Sequence, residues 1–120
     1  MDERARRVGK NEAVFREVNE QIKSLDRSLA PVEQAIEVVC ECGDLRCVDR
    51  FVVSLTDYER IRSDPTLFMV LPGHERLDVE RVTEEHAVYF VVQKHEGEPE
   101  HVARETNPRD ESAQANVNQS

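Results

Sequence analysis

At 120 residues the chain has the length of one domain, but with 5% aromatic residues, no Trp and 34% charged residues its apolar core is thin. A net charge of −9 excludes broad affinity for phosphate backbones. No apolar signal-type segment opens the chain and no run approaches the ~18 apolar residues of a membrane span, so a soluble cytoplasmic protein with reduced thiols is expected.

Charge is unevenly spread. Residues 1–10 carry Arg4, Arg6, Arg7 and Lys10 against Asp2 and Glu3, whereas residues 11–94 hold ten basic and seventeen acidic side chains. A basic arm able to touch nucleic acid weakly thus precedes an acidic body. Residues 8–29 read as one amphipathic helix. Val8, Phe15, Val18, Ile22, Leu25 and Leu29 form a heptad stripe in which Asn11 fills the remaining slot. Such a stripe serves either to cover the protein's own sheet or, as a coiled coil, to join a protein partner or a second copy.

"APVEQ" at 30–34 reads as a linker. "AIEVVCEC" and "DRFVVSL" are β-branched runs separated by "GDLR", which predicts an antiparallel hairpin. In "TDYERIRSDP", Thr56 and Glu59 have capping-box spacing and Pro65 stops a short helix. "TLFMVLP" at 66–72 predicts a third strand. A helix is expected over 77–86, with Val79, Val82 and His86 on one face, and a fourth strand over 87–92. That strand–helix–strand unit has the length of a parallel crossover. From His95 onward low hydrophobicity predicts an acidic disordered tail, broken by a brief helix around Val102. The organisation expected is therefore 1–29 arm and helix, 35–94 metal-binding domain, 95–120 tail. The fold class is α+β: a long N-terminal helix, a small four-stranded, mostly antiparallel sheet and two short helices.

The chemistry lies in "VCECGDLRC". Cys40, Cys42 and Cys47 make C-x-C-x4-C, and two cysteines two apart on a strand point to one face. Gly43 reverses the chain and returns Cys47 beside them. An odd count and the close C-x-C spacing disfavour disulfides. Three thiolates around a soft divalent cation need a fourth ligand, since structural zinc is nearly always tetrahedral. His74 follows the Pro72-Gly73 turn and is the preferred choice; His86 is second, with His95 and His101 behind it. The alternatives are buried packing cysteines, a thiol redox sensor and an iron–sulfur cluster. Glu41, Asp44 and Asp49 interleave with the thiols and would raise their pKa without metal, which disfavours a standing nucleophile. No zincin helix, phosphate loop or nucleophile signature is present, so an enzyme is not expected.

The three-Cys, one-His set resembles the ligands of the CDGSH iron–sulfur proteins. Here, however, the third cysteine comes too soon and no Cys-Asp-Gly-Ser-His follows it. With "NEAVFREVNEQI" at 11–22, "VCECGDLRC" at 39–47, "LTDYERIRSDPTLFMVLPGHE" at 55–75 and "ETNPR" at 105–109, the chain resembles a family of small uncharacterised bacterial proteins. In that family the C-x-C-x4-C and Pro-Gly-His-Glu elements occur together. The resemblance implies a bacterial cytoplasmic origin and that Cys40, Cys42, Cys47 and His74 act as a unit. The expectation is a small non-enzymatic zinc-binding protein of the regulatory or adaptor kind.

Overall fold

The computed structural model describes residues 3–26 and 35–109, apart from the side chains of Leu25 and Asp26. Leu29, the linker 30–34 and residues 110–120 lie outside the described residues. The class is α+β with a long N-terminal helix, α1 (Glu3–Asp26). It starts before the expected residue 8, so the arginines of the basic arm form its first turns. Among the described residues no helix is long and apolar enough to cross a membrane.

The first two β-branched runs pair as expected. β1 (Ala35–Val39) and β2 (Arg50–Ser54) are antiparallel, with Val38 opposite Phe51. Alternation sends Ile36, Val38, Phe51 and Val53 inward. The chain then enters α2 (Leu55–Arg62). Its N-cap is Ser54, whose Oγ accepts from the Asp57 N–H at 3.1 Å, not the expected Thr56. Ser54 wins because it stands where the strand ends in extended backbone (φ −67°, ψ 147°), the geometry a cap needs. α2 buries Tyr58 and Ile61 against the hairpin and the next strand.

The remaining strands depart from expectation. β3 (Leu67–Val70), β4 (Glu80–Glu85) and β5 (Phe90–Lys94) form a second sheet of order β3-β5-β4, both pairings antiparallel. Among the described residues five strands in two sheets thus stand where one four-stranded sheet was expected. The segment 77–86 is a turn and a strand, not a helix, and there is no parallel crossover. Val79 and Val82 are three apart, which suits a helix, but Glu80, Val82 and Glu84 also alternate inward, and the ladder to β5 decides. A bulge at Thr83 lies between the Val82–Val92 and Glu84–Val91 pairs. The Glu41 N–H donates to Met69 O at 2.9 Å, tying the extension of β1 to β3. Both sheets share one core, in which Tyr58, Ile61, Phe68, Met69 and Val91 are buried.

The face that α1 buries coincides with its apolar stripe only at the N-terminal end, where Ala5 and Val8 pack with Val79. Glu12, Arg16 and Asn19 lie against the body, whereas Val14 and Val18 are exposed. Asn19 acts as a clamp on β1: its Nδ2 donates to Val39 O at 2.9 Å and its Oδ1 accepts from Val39 N at 2.8 Å. Arg16 donates to Pro65 O (2.7 Å) and Ala103 O (2.9 Å), and its guanidinium stacks 4.5 Å from the Phe68 ring. Lys94 donates to Glu12 at 2.6 Å and to Glu80 at 3.0 Å, all three buried. The expected stripe is divided: Val8 is buried, Asn11 donates to Gly43 O, and Phe15 and Ile22 are half-buried. Buried charges survive only when paired, and partners supplied from distant segments make this polar stripe the inward one.

Residues 95–109, expected as tail, are structured. α3 (Glu98–Glu105) realises the brief helix around Val102, and Val102 and Ala103 are buried against α1 and β5. Arg109 closes this end with paired hydrogen bonds to Glu20 and Glu59. The polar composition misleads because two small apolar side chains suffice where arginines supply the rest.

Candidate metal centre

Residues 40–42 continue β1 beyond its last ladder pair. Cys40 N donates to Asp49 O at 2.9 Å, and the alternation puts Cys40 and Cys42 on one side and Glu41 on the other. Gly43 then turns the chain with φ +84°. A Cβ there would lie 3.1 Å from Glu12 Cγ and 3.2 Å from Val8 O, so glycine is demanded both by conformation and by the approach of α1. The turn tightens through Asp44, whose Oδ1 accepts from Arg46 N and whose carbonyl accepts from Cys47 N, each at 2.9 Å. Cys47 is thereby brought back to the first two thiols.

The fourth residue arrives from the second sheet. After β3 the chain turns at Pro72-Gly73, with Gly73 at φ +91° and His74 N donating to Leu71 O at 2.9 Å. His74 Nδ1 lies 3.5 Å from Cys40 Sγ and 3.7 Å from Cys47 Sγ. The donor atoms of Cys40, Cys42, Cys47 and His74 all lie within 4.8 Å of one another, a group able to hold a metal ion. Cys40 and Cys42 are buried; Cys47 and His74 are half-buried.

The other histidines are elsewhere. His86 is bonded through Nε2 to Glu84 at 2.7 Å and stacks on Tyr89. His101 pairs with Glu105, and His95 belongs to no cluster of ligating residues among the described ones.

Each sulfur also faces a main-chain donor. Leu71 N donates to Cys40 Sγ at 3.3 Å, and the N–H groups of Asp44 and Asp49 serve Cys42 and Cys47. Such bonds stabilise thiolates and orient them, as surrounding donors do around bound metal. In the protein alone, the hydrogen bond from the Cys40 thiol, with those of the Asp44 N–H and His74, pulls Cys42 down to about 5 despite its burial. Cys40 is pushed up by that same shared hydrogen bond and by burial, and Cys47 by burial. The expected raising of all three thiols therefore fails at Cys42, and at Cys40 and Cys47 it comes from burial and the neighbouring thiols rather than from Glu41, Asp44 and Asp49.

Glu41 fails as a neighbour because its carboxylate points away from the thiols. It accepts from both Arg62 Nη groups (2.7 and 3.1 Å), from Asn19 Nδ2 (2.7 Å) and from Met69 N (3.0 Å). Arg76, which sequence reasoning did not single out, donates from Nε to Cys42 O at 2.8 Å and braces the turn. Its position directly after Pro-Gly-His-Glu was the only available signal.

Compared with protein-family models, with curated proteins and with solved structures, the chain matches none. Geometry therefore carries the functional reading.

Proposed function

We propose that this is a small, non-enzymatic zinc-binding protein of the regulatory or adaptor kind, in which Cys40, Cys42, Cys47 and His74 form a closed structural site. The observation that carries this reading is the spacing of the donors. A tetrahedron with ordinary zinc–sulfur and zinc–nitrogen bonds separates S from N by about 3.6 Å. The Cys40–His74 and Cys47–His74 separations are 3.5 and 3.7 Å. Soft thiolate donors with one imidazole favour zinc over hard cations. Four protein ligands also leave no coordination position for water or substrate, which supports a structural role over catalysis.

Elemental analysis of untagged protein is expected to find one zinc per chain, lost in Cys42→Ser. Protein that carries no metal, and takes up none when supplied with zinc, overturns the reading. Iron and acid-labile sulfide in place of zinc would make the site an iron–sulfur centre instead.

A second reading, a thiol redox sensor, is favoured by one observation. An open cleft of about 300 Å³ borders Cys42 and His74, and Cys47 is half-buried, so an oxidant has access. Loss of zinc together with loss of titratable thiols under mild peroxide selects the sensor; retention of both selects the closed structural site.

A further inference from the structure

One face of this acidic chain carries the opposite charge. Arg4 and Arg7 lie one turn apart near the start of α1. Across an open cleft of about 560 Å³ stand Arg46, from the cysteine turn, and Arg76, from the segment after the Pro-Gly-His-Glu turn. Val8, Asn11 and Gly43 contribute to its lining, and Asp44 is the one acidic residue among the described lining side chains. In a chain of net charge −9, four arginines from three separate segments converge on one concavity.

We propose that this cleft binds a small polyphosphate anion of the pyrophosphate class, free or as part of a nucleoside di- or triphosphate. Guanidinium groups match phosphate oxygens with paired, charge-assisted hydrogen bonds. Two of the four are available for that task. Among the described residues Arg7 and Arg76 make no ion pair, and Arg76, held by its Nε on Cys42 O, keeps both Nη groups without a protein acceptor. Arg4 and Arg46 pair with Asp78 and Asp44 in exposed bridges, with Arg46 93% exposed. Such bridges hold little free energy, so a multivalent anion displaces them.

The lining also selects against other phosphate carriers. Among the described residues no aromatic side chain borders the cleft to offer a platform for stacked bases. A long nucleic acid would run onto the acidic remainder of the surface. A compact anion of high charge density fits both facts. This site stands beside the metal reading and goes beyond it: Arg46 lies between two of the proposed ligands, but Arg4 and Arg7 belong to α1.

The test is calorimetric titration of inorganic pyrophosphate into the zinc-loaded full chain at low salt, with zinc content measured before and after. One pyrophosphate per chain is expected, weakened about tenfold in Arg7→Gln and again in Arg76→Gln, with weaker binding as salt rises. Lys10→Gln, which removes a charge from the same helix outside the cleft, is expected to change affinity less than threefold. No binding at millimolar pyrophosphate overturns the proposal, as does an equal loss in Lys10→Gln and Arg7→Gln. A single-stranded oligonucleotide that binds more tightly than pyrophosphate also overturns it, making the face a nucleic-acid surface. A chain that holds no zinc yet binds pyrophosphate through Arg7 supports the cleft while overturning the metal reading.

Discussion

The two sides of residues 40–42 handle buried polar groups in opposite ways. On one side Cys40 and Cys42 join Cys47 and His74 in a cluster made of donors with no cation of the protein's own among them. On the other, the Glu41 carboxylate is met by Arg62, Asn19 and the Met69 N–H. The second side extends along α1 through Arg16 and the Glu12–Lys94–Glu80 group. The contrast shows what each side needs. The polar seam is met largely by groups already in the chain, so it fails when one partner is removed. The thiol side is a donor set that could hold a metal ion, so metal is expected to change it.

Four measurements break or sharpen that contrast. Chelation is expected to have the largest effect: structural zinc contributes on the order of 10 kcal/mol in small motifs, comparable with the whole stability of a domain. The chelated protein should lose its cooperative thermal transition, and an unchanged melting curve would show that the thiol side is self-sufficient after all. Next, Arg62→Met leaves the Glu41 charge buried without its main partner. A loss of about 3–5 kcal/mol in urea unfolding is expected, with zinc content still at one per chain. Loss of zinc in the same variant would show that the two sides form a single cooperative unit.

Glu12 gives a smaller, pH-dependent effect. Burial and the neighbouring Glu80, only partly offset by Lys94, hold its carboxyl well above the usual range, and its Oε2 has no hydrogen-bond partner among the described residues. A raised folded-state pKa means that the folded chain binds more protons. Its contribution is therefore complete below the ordinary value of 4.5 and is lost as pH rises through the folded value. Glu12→Gln should flatten the pH dependence of the urea midpoint above about pH 5, by up to about 1.4 kcal/mol per pH unit. An unchanged slope would remove Glu12 as its source. The smallest effect is expected for Val18→Asp on the exposed side of α1, a shift below about 0.5 kcal/mol. A fall in mass by light scattering in that variant would show a second copy seated on this face.

The candidate site was legible because its geometry is mostly local. Strand alternation carries Cys40 and Cys42 to one face, Gly43 and Asp44 close the turn on Cys47, and Pro72-Gly73 presents His74. Only the meeting of the two turns is long-range. The orientation of Glu41 follows from the same alternation, but its partners Arg62 and Asn19 lie 21 and 22 residues away, and no local pattern names them. The helix expected over 77–86 shows the same limit from another side: its apolar spacing suits helix and strand alike, and the pairing with β5 chooses.

By itself, then, the sequence determined the α+β class, the β1–β2 hairpin and the convergence of Cys40, Cys42 and Cys47, because turns and two-residue alternation are set within a few bonds; it ranked His74 ahead of His86, and the meeting of the two turns chose it. Tertiary structure alone decided that α1 turns Glu12, Arg16 and Asn19 inward and leaves Val14 and Val18 to solvent. Hydrophobicity counts each side chain singly. A buried charge is tolerable only through its partner, and for Glu12 and Arg16 those partners, Lys94 and the carbonyl of Ala103, lie 82 and 87 residues further along the chain.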